Sequence, residues 1–476
     1  MRICLVRPTF GSRFQVTPPL SLGYLSSALK RGGYRDISLI DGSLDVLTPA
    51  QAVERAAAGG GADVLGVQVY TGSHQWAKEF TFLAKQRLKD CVVAVGGPHV
   101  TALKEHAMDF IGADYGVIGE GEIAVVRMVE FLEGKIADAG KVPGFFFKER
   151  GKWRHAEEKF GFVPDANDLP VPDWELLQPQ RYFEFMEGAT MPLRGKRPAP
   201  ILTSRGCPYL CTFCSSGLTN KRKMRYRDPR NIVDEILFLK RTYGVDEIFF
   251  SDDNLTMDVN RAEQIFDLLI GEKADIHWRA PNGIRIDRLS PALVEKMARS
   301  GGYYVGVGVE TGNAEIMRRI KKKVNLDIVK GAVDLLHRDG IKVSGFFMCG
   351  LRGESRTQVG DSIRFALGVP FDRVQVSNYI PYPGSEDFSV IFEENVPERY
   401  AENVSRFQTS QYVPPFQEMS LEEIVSLQKE FIRRFYLRPS ILCELLKNLK
   451  FSQIKAILRH PFIVRWFNRK QKWFES

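Results

Sequence analysis

Long apolar runs are missing from this chain. No stretch is continuous enough to cross a bilayer, and the opening Met-Arg-Ile-Cys-Leu-Val-Arg-Pro breaks at Arg7 and Pro8, so neither a spanning helix nor a secretory leader is expected. Cysteine is scarce too. The seven thiols (Cys4, Cys91, Cys207, Cys211, Cys214, Cys349 and Cys443) are an odd number without the spacing of a disulfide framework, which points to a reducing, cytoplasmic location. A basic surface spread over the whole body is also lacking. Net charge is +8, but residues 431–476 hold eleven Lys and Arg against two Glu, so the tail carries +9 and the remainder about −1. No nucleic-acid partner is expected of such a body.

Three of the scarce cysteines stand together. Ser204-Arg-Gly-Cys-Pro-Tyr-Leu-Cys-Thr-Phe-Cys-Ser-Ser-Gly217 spaces Cys207, Cys211 and Cys214 as C-x3-C-x2-C in a loop bearing glycine and proline, which can turn three sulfurs toward one point. A tetrahedral zinc site would need a fourth ligand, and no cysteine or histidine follows until His277. A cubane iron-sulfur cluster is held by thiolates, and three of them leave one iron open to a substrate or cofactor.

Upstream, residues 1–135 alternate short apolar runs with amphipathic stretches. Strands are predicted at 2–7, 36–40, 64–69, 92–95 and 115–118, with helices at 20–31, 51–58, 74–88 and up to 132. That alternation predicts a doubly wound, Rossmann-like parallel sheet. Ligands of such sheets bind beyond the carboxyl ends of the strands, where Thr71, the Gly96-Gly97-Pro98-His99 turn and Gly119-Glu120-Gly-Glu122 fall. Residues 136–198 are rich in proline and read as a linker containing one hairpin, Gly144 to Phe147 returning through Trp153. Residues 199–395 repeat six strand-helix units, a partial (β/α)6 barrel of the TIM type with its chemistry at the strand carboxyl ends. Residues 396–476 read as a basic helical extension, with an amphipathic segment at 421–436.

Several polar residues collect at the barrel strand ends. Asp252, Asp253 and Asn254 follow the second strand, either as contacts to a cationic ligand or as a helix N-cap. Arg279 and Arg285 straddle the third strand end, as anion partners or in ordinary salt bridges. Glu310 closes Gly-Val-Gly-Val-Glu-Thr-Gly at the fourth, and Cys349-Gly350-Leu-Arg352-Gly-Glu354 follows the fifth, leaving Cys349 as a spare thiol.

The cysteine loop resembles the signature of the radical S-adenosylmethionine (SAM) enzymes. The N-terminal half resembles the cobalamin-binding domain of one class of them, through Pro18-Pro19-Leu20-x-Leu22-Gly23, Gly-Gly-Pro-His-x-Thr-Ala-Leu at 96–103 and Gly-Glu-Gly-Glu at 119–122. The resemblance implies a 4Fe-4S cluster on Cys207, Cys211 and Cys214, with SAM on the open iron and Phe213 near its adenine. It also implies contacts to the SAM ribose at Glu310 and to the SAM amino and carboxylate groups among Asp252, Asp253, Arg279 and Arg285, with Gly350 near the SAM backbone. Cobalamin would lie at Thr71, Gly96, Gly97, Gly119 and Glu120. Arg352 departs from the Gly-Leu-Pro-Gly-Glu pattern, and no Asp-x-His-x-x-Gly is present to supply a cobalt-ligating histidine; His99 is not expected to replace it.

By resemblance the activity is reductive cleavage of SAM to a 5'-deoxyadenosyl radical, used most often in this class for methylation of an unactivated carbon from methylcobalamin. Cyclising, ring-contracting or oxidative members of the class are the rival enzyme reading, and a non-catalytic iron-sulfur protein the rival outside enzymes. The tRNA methylthiotransferases carry three further N-terminal cluster cysteines, and here there are only Cys4 and Cys91. The implied partners are a small-molecule or lipid-pathway substrate and a low-potential donor of the flavodoxin or ferredoxin type. Aromatics and cations mix in the last stretch (Trp466, Arg469, Lys470, Trp473), a pattern that suits either peripheral contact with the inner face of a membrane or a cover for the barrel.

Overall fold

In the computed structural model the described residues are 1–9, 16–157, 161–186, 193–392 and 418–441. The basic tail beyond 441, with Cys443 and the membrane contact expected of it, lies outside them. No helix among the described residues is long and apolar enough to cross a membrane.

The alternating pattern at the start folds as β1 (Ile3–Arg7), β2 (Ile37–Asp41), β3 (Val64–Gln68), β4 (Val92–Gly96) and β5 (Tyr115–Val117). All five are parallel, in the order β2-β1-β3-β4-β5. The winding direction reverses between β1 and β3, and such a reversal leaves a crevice above the strand carboxyl ends. Helices cover both faces of the sheet and form a separate apolar core on each.

The hairpin expected in the linker belongs to this sheet. Strands β6 (Phe145–Glu149) and β7 (Lys152–His155) add to β5 as an antiparallel pair. The reason lies in two adjacent phenylalanines. Successive strand residues point to opposite faces, so Phe145 enters one core and Phe146 the other. The first unit therefore runs to about His155, past the boundary at 135 that strand-helix alternation predicts.

The barrel follows as β8 (Pro198–Ile201), β9 (Ser204–Arg205), β10 (Arg225–Tyr226), β11 (Glu247–Phe250), β12 (His277–Ala280), β13 (Gly302–Glu310), β14 (Lys342–Cys349) and β15 (Arg373–Asn378). Six of these, β8-β11-β12-β13-β14-β15, form the parallel barrel wall, while β9 and β10 make a short antiparallel ribbon beside it. The first barrel strand, expected to run to Ser204, thus breaks after Ile201. Side-chain oxygens of Asp228, Asp258, Ser290, Asn325 and Ser355 accept the first free N–H groups of the barrel helices.

An open barrel leaves edge strands that need cover. Helix Leu421–Tyr436 covers β15, with Phe431 and Phe435 fully buried against the wall. Its polar groups also pair with the strand edge: Gln428 Nε2 donates to the Val376 carbonyl at 2.8 Å and the Tyr436 hydroxyl to that of Val374 at 2.9 Å.

Candidate active site

The cysteine loop is gripped at both ends. Before it, the buried Asp252 carboxylate accepts the backbone N–H of Thr203 and the hydroxyls of Thr203 and Ser204. Asp252 is therefore neither a helix cap nor open to a ligand; its bonds end β8 and launch β9. Gly206 takes φ +105°, and a Cβ there would lie 2.1 Å from the Lys223 carbonyl, so only glycine lets the ribbon close behind Cys207. Within the loop, the Thr212 hydroxyl (3.0 Å) and the Tyr379 hydroxyl (2.8 Å) donate to Asp387, and Arg352 Nε pairs with the other oxygen of that carboxylate at 3.3 Å. Arg352, the departure from the proline pattern, thus serves the cysteine loop.

Cys211 is buried, while Cys207 and Cys214 are partly open. Burial pushes the Cys211 thiol up to about 11 and raises that of Cys207. Iron binding has to displace those protons, as metal binding to thiols does. Among the described residues no three Cys, His, Asp or Glu side chains stand close enough together for a single ion. A cubane spreads its thiolates over three irons rather than gathering them on one ion. Ser216 N–H donates to Cys214 Sγ at 3.4 Å.

Two groups stand over the loop. Glu310 has φ +70° at a register shift in β13, an uncommon conformation for a residue with a side chain. Its carboxylate accepts from Lys322 Nζ at 2.8 Å. Burial disfavours the Lys322 charge, but Glu310 and Cys211 outweigh it and hold the ammonium above the ordinary lysine value. Sequence reasoning missed Lys322; the only signal was the run Lys321-Lys322-Lys323. Phe213 packs with Ile316, Ile320, Leu351 and Tyr379, an apolar bed beside the loop. Asp253 opens to the cavity, and desolvation together with Asp252 raises its carboxyl above the usual range.

The remaining barrel expectations divide. Arg285 lies over the Tyr209 ring at 4.4 Å and pairs with Asp287, so it borders the loop. Arg279 does not. Its guanidinium is buried against Glu247 (3.0 Å) and the Tyr303 hydroxyl, which leaves the salt-bridge reading for it. Gly350 has φ +83° and donates its N–H to Glu354 at 2.8 Å. Cys349 is buried and desolvated, an inert packing thiol.

A cavity of ≈ 360 Å³ lies where the sheet crevice faces the barrel mouth, with Gly96, Gly97, Gly119 and Tyr70 on one wall and Gly206 and Asp253 on the other. Bare backbone on both walls suits a broad flat ligand. Gly97 (φ +109°) could not carry a side chain, since a Cβ would stand 2.8 Å from the Val69 carbonyl. Two of the expected contact residues, Thr71 and Glu120, have partners within the protein. Thr71 is turned into the fold, its carbonyl accepting from His74 Nδ1 at 2.7 Å and its hydroxyl 3.3 Å from His99 Nδ1. His99 stacks on His74, and desolvation lowers its pKa to about 3. Glu120 borders the cavity, but its carboxylate is taken by Arg225 and Arg205 (3.2 Å), while Glu122 holds Arg205 at 2.6 Å. Through these pairs the sheet's Gly-Glu-Gly-Glu turn grips the ribbon that carries Cys207.

A three-cysteine loop on a partial barrel, with its Ser204-Arg-Gly206 start on the wall of the cavity that the sheet crevice lines, suits an enzyme that brings two cofactors together. A family model of the radical SAM superfamily matches residues 201–366, and one of the B12 binding domain matches residues 6–129. The chain thus carries both a radical SAM domain and a B12 binding domain. It is 28% identical to an uncharacterised methyltransferase of Pyrococcus horikoshii over 93% of this chain and 94% of that protein. It is 27% identical to the cytidylyl-2-hydroxyethylphosphonate methyltransferase of Streptomyces wedmorensis over 78% of this chain and 77% of that protein. It is 25% identical to the anaerobic magnesium-protoporphyrin IX monomethyl ester cyclase of Rubrivivax gelatinosus over 93% and 78%. The solved radical SAM methyltransferase TsrM of Kitasatospora setae shares the fold, with TM-score 0.69 and 15% identity over 92% of this chain and 90% of that one.

Proposed function

We infer that the protein methylates an unactivated carbon of a small molecule, drawing on SAM both as methyl source and as radical source. The observation that carries this reading is the single cavity walled by the sheet's glycine turns and by the barrel's Gly206 and Asp253. When bound, the cluster supplies one electron to cleave SAM and the corrinoid supplies a carrier for the methyl group. Cys207, Cys211 and Cys214 would hold the cluster and leave one iron open for SAM. Glu310 and Lys322 form a polar pair beside it, and Phe213 offers the adenine an apolar bed. Asp253 presents a carboxyl group at the cavity wall.

Radical chemistry needs water kept out. Val16, Leu44, Tyr182, Met186 and Phe249 pack together and join sheet, linker and barrel, a contact that would seal the joint between the two halves against water. The Tyr182 hydroxyl locks that seal by donating to Asp41 at 2.6 Å. The test is anaerobic reconstitution with iron, sulfide and cobalamin, followed by product analysis with methyl-deuterated SAM, a reductant and a metabolite mixture. The reading requires a retained corrinoid, 5'-deoxyadenosine and S-adenosylhomocysteine in about equal amounts, and label in a small molecule. A cluster without retained corrinoid would return the sheet domain to a packing role and end the methyltransferase reading.

A further inference from the structure

A barrel of this type fills its lumen with its own side chains in stacked layers. The lowest layer here obeys that rule: Arg279, Glu247 and the Tyr303 hydroxyl bond one another, with the guanidinium over the Phe249 ring at 4.7 Å. The layers above it do not. On β13 the inward positions are Gly306 and Gly308, which supply no side chain. A Cβ at Gly306 would stand 2.5 Å from the Phe346 ring, and one at Gly308 would stand 2.6 Å from the Glu310 carboxylate.

Strands β14 and β15 complete the inner face. Phe347, Cys349, Val374 and Val376 belong to the core packed under the barrel helices, so alternation turns Ser344, Phe346, Met348, Gln375 and Ser377 into the lumen. The register sets Gln375 beside Phe346 and Ser377 beside Met348. Gln375 and Ser377 are exposed and Phe346 and Met348 half-buried, and neither polar side chain has a hydrogen-bond partner among the described residues. Deeper in, Ser344 is 1% exposed and its hydroxyl is also without a partner among them. A buried hydroxyl left so costs free energy until a ligand or water meets it. The upper end of this lane adjoins the cysteine loop, because Met348 and Phe213 pack on the same buried group of Ile316, Ile320, Leu351 and Tyr379.

We propose that the inner face of β14 and β15 binds the molecule to be methylated, and that the part it holds is uncharged, with hydroxyl or amide groups on Gln375 and Ser377 and an apolar side on Phe346 and Met348. The proposal rests on the methylation inferred above. The charge of the ligand follows from what the lumen has left to offer. Glu310 is paired with Lys322 and Arg279 with Glu247. Arg373, two residues before Gln375, is buried at the foot of the strand. What stays available is the Gln375 amide and the Ser344 and Ser377 hydroxyls, which donate and accept but carry no charge. A phosphate or carboxylate held on them would lose water without gaining a counter-ion. An apolar wall with a few convergent polar groups is the anatomy of a small-molecule site.

The experiment uses the reconstituted full chain with methyl-deuterated SAM and a reductant. A small-molecule cell extract is divided by ion exchange into anionic, cationic and neutral pools, and each pool is offered separately. Label should enter the neutral pool. Gln375→Leu and Ser377→Ala each remove one hydrogen-bonding group, and at limiting extract the labelled product should fall by on the order of tenfold in each. Their iron content, retained corrinoid and thermal midpoint should match wild type. Ser377→Thr keeps the hydroxyl and should recover most of the product, which a merely structural role for Ser377 would not require. Label confined to the anionic or cationic pool overturns the uncharged ligand. Undiminished labelling in both fully loaded variants overturns the lane as the binding site. Absence of label from every pool, with 5'-deoxyadenosine still formed by wild type, overturns the methylation reading and the lane's ligand with it.

Discussion

Cys211 is the buried member of the three proposed ligands, so its loss would not be made good by solvent. Cys211→Ala should abolish site iron and 5'-deoxyadenosine together; a cluster-free variant that still cleaved SAM reductively would refute the assignment. Glu354 makes a different prediction. One of its oxygens accepts the N–H groups of Gly350 and Leu351, while the other is buried without a partner. Desolvation raises its pKa from 4.5 to about 7. Between these values the native state binds more protons than the unfolded chain, so this group's contribution to stability is full below about 4.5 and is lost as pH rises to about 7. Glu354→Gln keeps the acceptor for the turn and should flatten that slope, worth roughly 3 kcal/mol at most, in urea titrations at pH 5 and pH 8.

At the scale of elements, the ribbon β9–β10 is the joint between the two halves. Arg225 is 6% exposed and bonds both Glu120 and the Val163 carbonyl. Replacing it by Met leaves a buried carboxylate with one cation fewer, and breaking such a pair costs about 3–5 kcal/mol. Arg225→Met should lower the denaturation midpoint accordingly and weaken corrinoid retention, while SAM binding falls less. Loss of stability with corrinoid retention untouched would separate the ribbon from the cofactor cavity. Neither the ribbon nor its arginines were legible beforehand. A two-residue strand has no period to detect, and Arg225 and Arg227 sit in a cationic run that reads as a solvated face.

Across the whole molecule, sheet, linker and barrel must close on one volume. Phe249 points from β11 into the seal with Tyr182 and Met186. Phe249→Ala should open that flank, so that 5'-deoxyadenosine continues to form while less methylated product appears per turnover. Unchanged coupling between the two products would show that the seal lies elsewhere. The covering helix Leu421–Tyr436 was legible because its apolar stripe and its Ser420/Glu423 capping box are local. Its target, the edge of β15, was not.

What the sequence determined by itself was whatever depends on neighbours along the chain. Strand and helix periods, helix caps, the spacing of Cys207, Cys211 and Cys214, and the order of sheet and barrel are all local patterns. Only the tertiary structure decided which polar groups were already spent: Asp252 on Thr203 and Ser204, Arg279 on Glu247, Glu120 on Arg225, and Thr71 on two histidines. It also brought Lys322 to Glu310 and Arg352 to Asp387. A carboxylate or guanidinium looks the same in sequence whether it meets a ligand or a partner 100 residues away. The cost of burying an unpaired charge settles the matter, and burial exists only once the chain has folded.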